Sequence, residues 1–249
     1  MKILVISDIH GNAEALAAVL NKEQDADATV FLGDALLTGS QPNETISLMK
    51  NLSGILVTGP HDLDLLEPDR FAQWPDNFKA WTNWIIEILT PESASFLKSL
   101  KQEGEYTLGE LRMYLTHGEL AGKVRHVLPD ATDNHMASLA AGNDSPMVLF
   151  GHSHIQFTRE INGQQFINPG SIGQNRCGHV LACYGLIEDG VYRACQVEYD
   201  PAPWVEALEG IEALDPFPDF RNWVKQGLLT GYGVGEQEPW TRFSQEGYF

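Results

Sequence analysis

Carboxylate and imidazole side chains follow five short apolar segments of the chain, at the point where each segment ends. In chain order these side chains are Asp8 and His10, Asp34, His61, His117, and His152 with His154. Mixed nitrogen and oxygen ligands suit manganese, iron, zinc, nickel or cobalt, whereas calcium favours sites made of oxygen alone. Two aspartates and four histidines, all of these residues except His61, therefore form a candidate ligand set for transition metal ions.

The spacing within the set predicts which side chains act together. Side chains at positions i and i+2 of an extended segment point to the same side. Asp8 and His10 are therefore expected to bind one ion, and His152 and His154 are each expected to serve one of two neighbouring ions.

Each residue also has an ordinary interpretation when it is taken alone. Asp34 follows a glycine and could be a turn residue, and His117 could be a buried core histidine. The ordered set, with each member after an apolar segment, is far more specific than any one of its residues.

The pattern of the segments that position these side chains predicts an α/β fold. The apolar segments KILVIS (2–7), ATVFL (28–32) and GILVT (54–58) predict strands, and helical patterns separate them. Such alternation predicts a sheet with crossover helices. Ligands of α/β sheets bind where the loops at the strand ends converge, so the chemically active side chains should meet at one edge.

The rest of the chain divides into further predicted elements. Strands are expected at 111–116 and 148–150, a helix near 131–141, and two hairpins at the turns Asn162-Gly163 and Glu188-Asp189-Gly190. We predict a main domain over residues 1–200 with a helical insertion at about 63–103. Residues 201–249 are rich in proline, glycine and aromatic residues, and we expect them to pack on the same domain.

The composition excludes some classes of function. The net charge of −18 and the lack of a basic run argue against non-specific nucleic-acid binding. The first apolar run is too short for a signal peptide or a membrane span, so a cytoplasmic location without membrane attachment is expected. The chain has three cysteines, which is an odd number, and their spacing matches no zinc pattern. We therefore expect them to be reduced thiols.

Six sequence blocks together resemble the calcineurin-like metallophosphoesterase superfamily, and within it the bacterial SDIHGN branch of small phosphoesterases. The blocks are SDIHGNAEAL (7–16), GDALLTGSQPNE (33–44), TGPHD (58–62), THG (116–118), GHSH (151–154) and INPGSIGQ (167–174). The resemblance covers about residues 1–200. It implies two mixed β-sheets packed as a sandwich with flanking helices.

The resemblance also implies two divalent metal ions, with manganese the first candidate and iron, nickel, zinc or cobalt as alternatives. In the family pattern Asp8, His10 and His154 bind one ion, His117 and His152 bind the second, and Asp34 bridges the two. Two such ions lower the pKa of a bridging water, and the resulting hydroxide attacks the phosphorus of a small phosphate monoester or diester. His61 would assist the leaving group or steady the phosphate.

One position departs from the family pattern. The family usually has asparagine, a ligand of the second metal, where this chain has Pro60, which offers no side-chain ligand and no backbone N–H. The departure favours a second hypothesis, a catalytically weakened metal-binding scaffold for protein partners. Retention of the six ligand residues and of His61 opposes it. A nuclease is a third hypothesis, which the charge of −18 opposes.

Two further residues are candidates for substrate binding. Asn12 lies in the first block, and Arg176 carries a guanidinium group that matches the geometry of a phosphate. Asn12, like Asn168, could equally be a turn residue, and Arg176 could form a surface salt bridge. The sequence specifies neither the substrate nor an oligomeric state.

Overall fold

The computed structural model describes residues 1–118 and 126–232. The strands of this part are β1 (Lys2–Ile6), β2 (Ala28–Phe31), β3 (Gly54–Leu56), β4 (Gly104–Leu108), β5 (Leu111–Leu115), β6 (Met147–Leu149), β7 (Gln156–Ile161), β8 (Gln164–Pro169), β9 (Ala182–Glu188) and β10 (Val191–Val197). Its helices are α1 (Ala13–Lys22), α2 (Pro42–Met49), α3 (Pro60–Leu66), α4 (Asp76–Ile88), α5 (Pro91–Lys98), α6 (Asp133–Ala137), α7 (Ala202–Glu209) and α8 (Pro218–Thr230).

The strands form two five-stranded mixed sheets. The first has the order β10-β9-β1-β2-β3 and the second the order β4-β5-β6-β8-β7. In the first sheet β1, β2 and β3 are parallel, and in the second β5, β6 and β8 are parallel, with antiparallel strands beside them. The predicted fold class, two mixed sheets with flanking helices, is confirmed.

Alternation along the strands explains why the sheets stack. In β1, Ile3 and Val5 face the second sheet, where they join a core that includes Met113 and Leu149. Leu4 and Ile6 point the other way and pack with the helices that cover the first sheet. This period of two follows from the pleat of a strand, and it gives one apolar layer between the sheets.

The helical segment that lies between β3 and β4 along the chain starts earlier than the predicted insertion. Helices α3, α4 and α5 run from Pro60 to Lys98, because Pro60 begins α3 at a position where its missing N–H and fixed φ suit a helix start. Strand β4 follows at Gly104 and was not predicted, because its alternating half-buried and exposed residues give no apolar run.

The described part of the C-terminal region packs on the main core. Trp204 and Leu208 of α7 and Val224 of α8 are buried in the same cluster as Leu16 of α1. Residues 233–249, which include Trp240, lie outside the described residues. The division into a domain of residues 1–200 and a packed extension of residues 201–249 therefore stays a prediction. None of the helices in the described ranges is long and apolar enough to cross a membrane.

Candidate metal centre

Loops that follow β1, β2, β5 and β6 bring the six predicted ligand residues together in two buried groups. The first group is Asp8, His10 and His154, the second is Asp34, His117 and His152, and within each the ligand atoms lie within 4.8 Å of one another. The groups adjoin, because His117 Nε2 lies 3.1 Å from Asp34 Oδ2 and 3.8 Å from Asp8 Oδ1. His154 Nε2 lies 3.2 Å from Asp8 Oδ1.

The backbone that presents these side chains is not extended. Five of the six residues have positive φ: Asp8 (53°), His10 (48°), Asp34 (62°), His152 (63°) and His154 (61°). The prediction that an extended segment places Asp8 and His10 side by side is therefore wrong in its geometry, although both reach the first group. Left-handed backbone is uncommon for residues other than glycine, and it concentrates at functional sites.

Three of the imidazoles are oriented by backbone carbonyl groups. His10 Nδ1 contacts the Leu37 oxygen, His117 Nδ1 lies 2.8 Å from the Leu32 oxygen, and His154 Nδ1 lies 2.6 Å from the Gln174 oxygen. Because a carbonyl oxygen only accepts hydrogen bonds, each Nδ1 donates. The Nε2 atoms are left facing the carboxylates, and this arrangement is typical of histidines that bind metals.

Several buried atoms of the centre have no hydrogen-bond partner. They are Asp8 Oδ1, His117 Nε2 and His152 Nε2. Unpaired buried polar atoms are costly in a folded protein. The residues present thus fit two divalent transition metal ions, because the unpaired atoms and the mixed donor set both suit such ions.

Charge interactions at the centre oppose the effect of burial. Burial alone would raise the carboxyl pKa values of Asp8 and Asp34, but the neighbouring imidazoles, mainly His154 and His117 respectively, hold both below their usual range. Burial lowers the pKa of His154 to about 4. Burial would also lower the pKa of His117, but the Asp34 and Asp8 charges raise it to about 10. Both carboxylates thus stay anionic near neutrality.

The start of α3 holds Asp34 in place. The Asp62 carboxylate accepts hydrogen bonds from the backbone N–H groups of Gly59 (2.8 Å), Asp34 (3.0 Å) and Ala35 (2.8 Å). The His61 N–H donates to Asp34 Oδ1 at 3.0 Å. Asp62 is thus a positioning residue that sequence reasoning missed. Its signal is an acidic residue three positions after a helix N-cap.

His61 borders the first group and reaches solvent. Its side chain is 23% exposed, and its ring centroid lies 6.2 Å from that of His10. Its Nδ1 lies 3.0 Å from Asp64 Oδ2, and Arg70 Nε donates to the other oxygen of Asp64 at 2.8 Å. Asp64 therefore fixes the Nδ1 edge of the imidazole.

The two candidates for substrate binding differ in their surroundings. The Asn12 side chain caps α1 by accepting from the Ala15 N–H, and it donates to the Gly173 oxygen and to the Tyr199 hydroxyl. These contacts describe a structural residue. Arg176 is almost fully buried, and its charge contributes to the low pKa of His154, so it lies beside the centre rather than on the surface.

One histidine near the second group falls outside the predicted set. The ring of His126 stacks on that of His152 at a centroid distance of 4.5 Å and an angle of 24°. No predicted strand ends at His126, so the search for polar residues directly after apolar segments did not select it.

Comparison with known proteins assigns the family. Residues 1–188 match the calcineurin-like phosphoesterase superfamily domain. The chain belongs to this superfamily and is a phosphoesterase, as the resemblance of its sequence blocks predicted. The superfamily is metal-dependent, and the two groups are able to hold metal ions. The narrower assignment to the SDIHGN branch stays a prediction.

Individual proteins resemble the chain in sequence or in fold. An uncharacterized protein of Methanocaldococcus jannaschii, MJ0912, is 29% identical over 219 residues, which cover 80% of this chain and 88% of the relative. Phosphodiesterase YfcE of Escherichia coli K12 is 24% identical over 201 residues, or 77% of this chain and 89% of YfcE. The solved structure of the hypothetical protein PH1004 of Pyrococcus horikoshii shares the fold, with a TM-score of 0.74 at 19% identity over 94% of this chain and 99% of that one.

Proposed function

We propose that the chain hydrolyses small phosphate esters with two divalent metal ions, manganese first among the candidates. The observation that carries the proposal is the orientation of His10, His117 and His154. Each turns Nδ1 to a backbone carbonyl and leaves Nε2 beside the Asp8 or Asp34 carboxylate. His10 Nε2 and His154 Nε2 lie 3.0 Å apart, and because each Nδ1 donates to a carbonyl, both Nε2 atoms can offer a lone pair to one metal ion.

The proposed ligand roles follow the two groups. Asp8, His10 and His154 would hold one ion, His117 and His152 would hold the other, and Asp34 would be shared by both. Asp34 suits the bridging role because its Oδ2 lies 3.1 Å from His117 Nε2 of the second group, while its backbone oxygen accepts from the His10 N–H of the first group at 3.2 Å. Bound ions supply a water of lowered pKa and polarise the phosphoryl oxygens.

Other side chains are proposed to act on the substrate directly. His61 donates a proton to the leaving oxygen, and Asp64 holds its imidazole for that task at 3.0 Å. Arg176, whose charge contributes to the low pKa of His154, is proposed to contact a phosphate. The Asn12 side chain is held by its contacts with Ala15, Gly173 and Tyr199, and its role in substrate binding stays a prediction.

The substrate is proposed to be a phosphomonoester or a phosphodiester. The relative named phosphodiesterase YfcE supports the second class. The scaffold hypothesis rests on Pro60, which in this structure begins α3 and brings no ligand atom to the second group. A cytoplasmic location also stays a proposal.

Metal reconstitution tests the proposal. The full chain is stripped of metal and then loaded with manganese, nickel or cobalt. Its turnover is measured with bis(p-nitrophenyl) phosphate and with p-nitrophenyl phosphate. We expect activity to return only on loading, and the better substrate to identify the ester class. Equal turnover by stripped and loaded protein would contradict metal dependence, and no turnover with any of these metals would favour the scaffold.

A further inference from the structure

A third group of ligand-type side chains lies outside the two groups of the candidate centre. Cys177, His179 and Cys183 each offer one ligand atom, and these atoms lie within 4.8 Å of one another. Both thiols are free and buried, and His179 is half-buried. We propose that these three side chains bind one zinc ion at a site separate from the phosphoesterase centre.

The three donor atoms lack strong partners within the described protein. His179 Nδ1 is buried and has no hydrogen-bond partner. The thiols make the weak hydrogen bonds that sulfur gives. Cys177 Sγ lies 3.9 Å from the His154 oxygen, Cys183 Sγ lies 4.0 Å from the Leu181 oxygen, and the two thiols also hydrogen bond with each other. Two weakly bonded thiols and an imidazole with an unpartnered Nδ1 thus converge at one place, where a shared cation would be a stronger partner for all three side chains.

The donor types select the metal. Two thiolates and one imidazole are a common zinc donor set, and tetrahedral zinc with three protein ligands takes water in its fourth position. The first two groups contain no sulfur and suit harder cations such as manganese, whereas thiolates favour soft or borderline ions. The chain is thus proposed to separate two kinds of metal by donor chemistry.

The loop that carries the site is already shaped by its own contacts. Asn175 Oδ1 accepts from the Cys177 N–H at 3.0 Å, and its Nδ2 donates to the His179 oxygen at 2.8 Å. The Gly178 N–H donates to the Gly231 oxygen at 2.9 Å, where α8 ends. Cys183 is fixed separately, in strand β9. Zinc would therefore join a preformed loop to a rigid strand.

The same loop supports the first group of the phosphoesterase centre. The Gln174 oxygen accepts from His154 Nδ1, and the Arg176 N–H donates to the His154 oxygen at 3.1 Å. Zinc at the third group would thus hold the segment that orients His154 and carries Arg176. Its proposed role is to position this loop, with no part in bond breaking.

Binding is a proton exchange and not a redox step. Two S–H bonds break and two zinc–sulfur bonds form, the two protons leave to solvent, and His179 gives a lone pair. Charge balances, because one divalent cation replaces two protons. A disulfide between Cys177 and Cys183 is the competing state, and it would remove both sulfur ligands.

Cobalt serves as the spectroscopic probe, because thiolate coordination gives a sulfur-to-cobalt charge-transfer absorption that ligands without sulfur cannot give. The full chain is reduced, stripped of metal and titrated with cobalt, and zinc is then added. We expect this absorption to rise to one equivalent, to be lost on adding zinc, and to persist in Asp34→Asn. Cys177→Ser and Cys183→Ser should abolish it.

Two further variants keep the test decisive. His179→Gln, a half-buried loop change that should not impair folding, is expected to weaken cobalt binding at least about tenfold, as loss of metal-site partners commonly does. Cys195→Ser is the matched control, because Cys195 is buried in β10 outside the group, and it should leave the absorption unchanged. Absence of the absorption in the reduced chain, or its survival in both Cys177→Ser and Cys183→Ser, would overturn the proposal.

Discussion

The two ligand groups of the phosphoesterase centre are held by different means. In the first group, His10 and His154 are both fixed by backbone carbonyls, those of Leu37 and Gln174. The loops that supply these carbonyls are joined, because Gln174 Nε2 donates to the Thr38 oxygen at 2.6 Å. The first group is thus oriented by two backbone carbonyls, and the Gln174 side chain links the loops that carry them.

The second group depends more on side chains. His117 is fixed by the Leu32 oxygen, but His152 has an unpartnered Nε2 and packs its ring against His126. Position 60, where the family pattern predicts an asparagine ligand, is proline. We therefore expect the first group to bind its ion more tightly than the second.

The largest effect is expected where the two groups meet. Asp34→Asn should remove nearly all activity, because an amide carries no charge and Asp34 is proposed to bridge both ions. The metal content of both groups should fall, as measured by elemental analysis after gel filtration. Asp219→Asn, at an exposed position in the first turn of α8, is the matched control and should retain full activity. Full activity in Asp34→Asn would remove the bridge from the mechanism.

The sequence was sufficient to find the strand ends and the six residues that gather in the two groups. Apolar runs such as 2–7 and 148–150 mark buried strands, and polar residues directly after them are easy to recognise. It could not give the left-handed backbone at Asp8 and His10, because that conformation is imposed by contacts with the neighbouring loop. The Asp8 N–H donates to the Gly33 oxygen at 3.0 Å, for example, and the His10 N–H to the Asp34 oxygen at 3.2 Å.

Residues outside strand ends were missed for related reasons. His126 meets His152, and Cys177 meets Cys183, only through tertiary folding. The spacing of Cys177, His179 and Cys183 differs from that of common zinc motifs. Strand β4 was not predicted, because an edge strand with alternating exposure lacks an apolar run.

The next effect separates catalysis from metal binding. His61→Ala should lower turnover by about 10²–10⁴-fold, the usual contribution of a general acid, most strongly for esters with poor leaving groups. Metal content should stay unchanged, because His61 lies beside the first group but is not a member of it. Asp64→Asn keeps the imidazole and should cost less. A parental rate on an alkyl phosphate would limit His61 to a role in the turn.

The third prediction concerns Trp204, which packs near the first group. Trp204 is fully buried, and its carbonyl accepts from Ser40 Oγ at 2.8 Å, next to the loop that fixes His10. Trp204→Ala should lower the free energy of unfolding by about 3–5 kcal/mol, as truncation of a buried aromatic side chain commonly does. Urea unfolding measures this, and Trp223→Ala, at a half-exposed position in α8, should cost less.

The same region provides a proteolytic check. If residues 201–249 pack on the domain as predicted, a protease should not remove them rapidly from the folded chain. Their rapid removal with no change in the urea midpoint of the rest would contradict both the packing prediction and the expected cost of Trp204→Ala.

The smallest effect concerns the affinity of the second group. Manganese titration of the stripped chain should give one tight and one weak binding event, because the first group has its full set of proposed ligands and the second lacks the family's asparagine oxygen. Pro60→Asn should tighten the weak event by about tenfold, which corresponds to 1.4 kcal/mol of added ligand interaction. The tight event should not change, since Pro60 belongs to α3 and not to either loop that fixes His10 or His154.

Pro60→Asn must also be distinguished from a general effect on a helix start. Pro91 opens α5 in the same way, at the first helical position and far from the ligand set in sequence, so Pro91→Asn is the matched control. It should alter stability slightly and leave both binding events unchanged. The His61 N–H should still donate to Asp34 in Pro60→Asn, because that bond depends on the helix start and not on the proline ring. Two equal affinities in the parent chain, unchanged by Pro60→Asn, would mean that another residue supplies the missing ligand, and the stacked ring of His126 would be the next position to substitute.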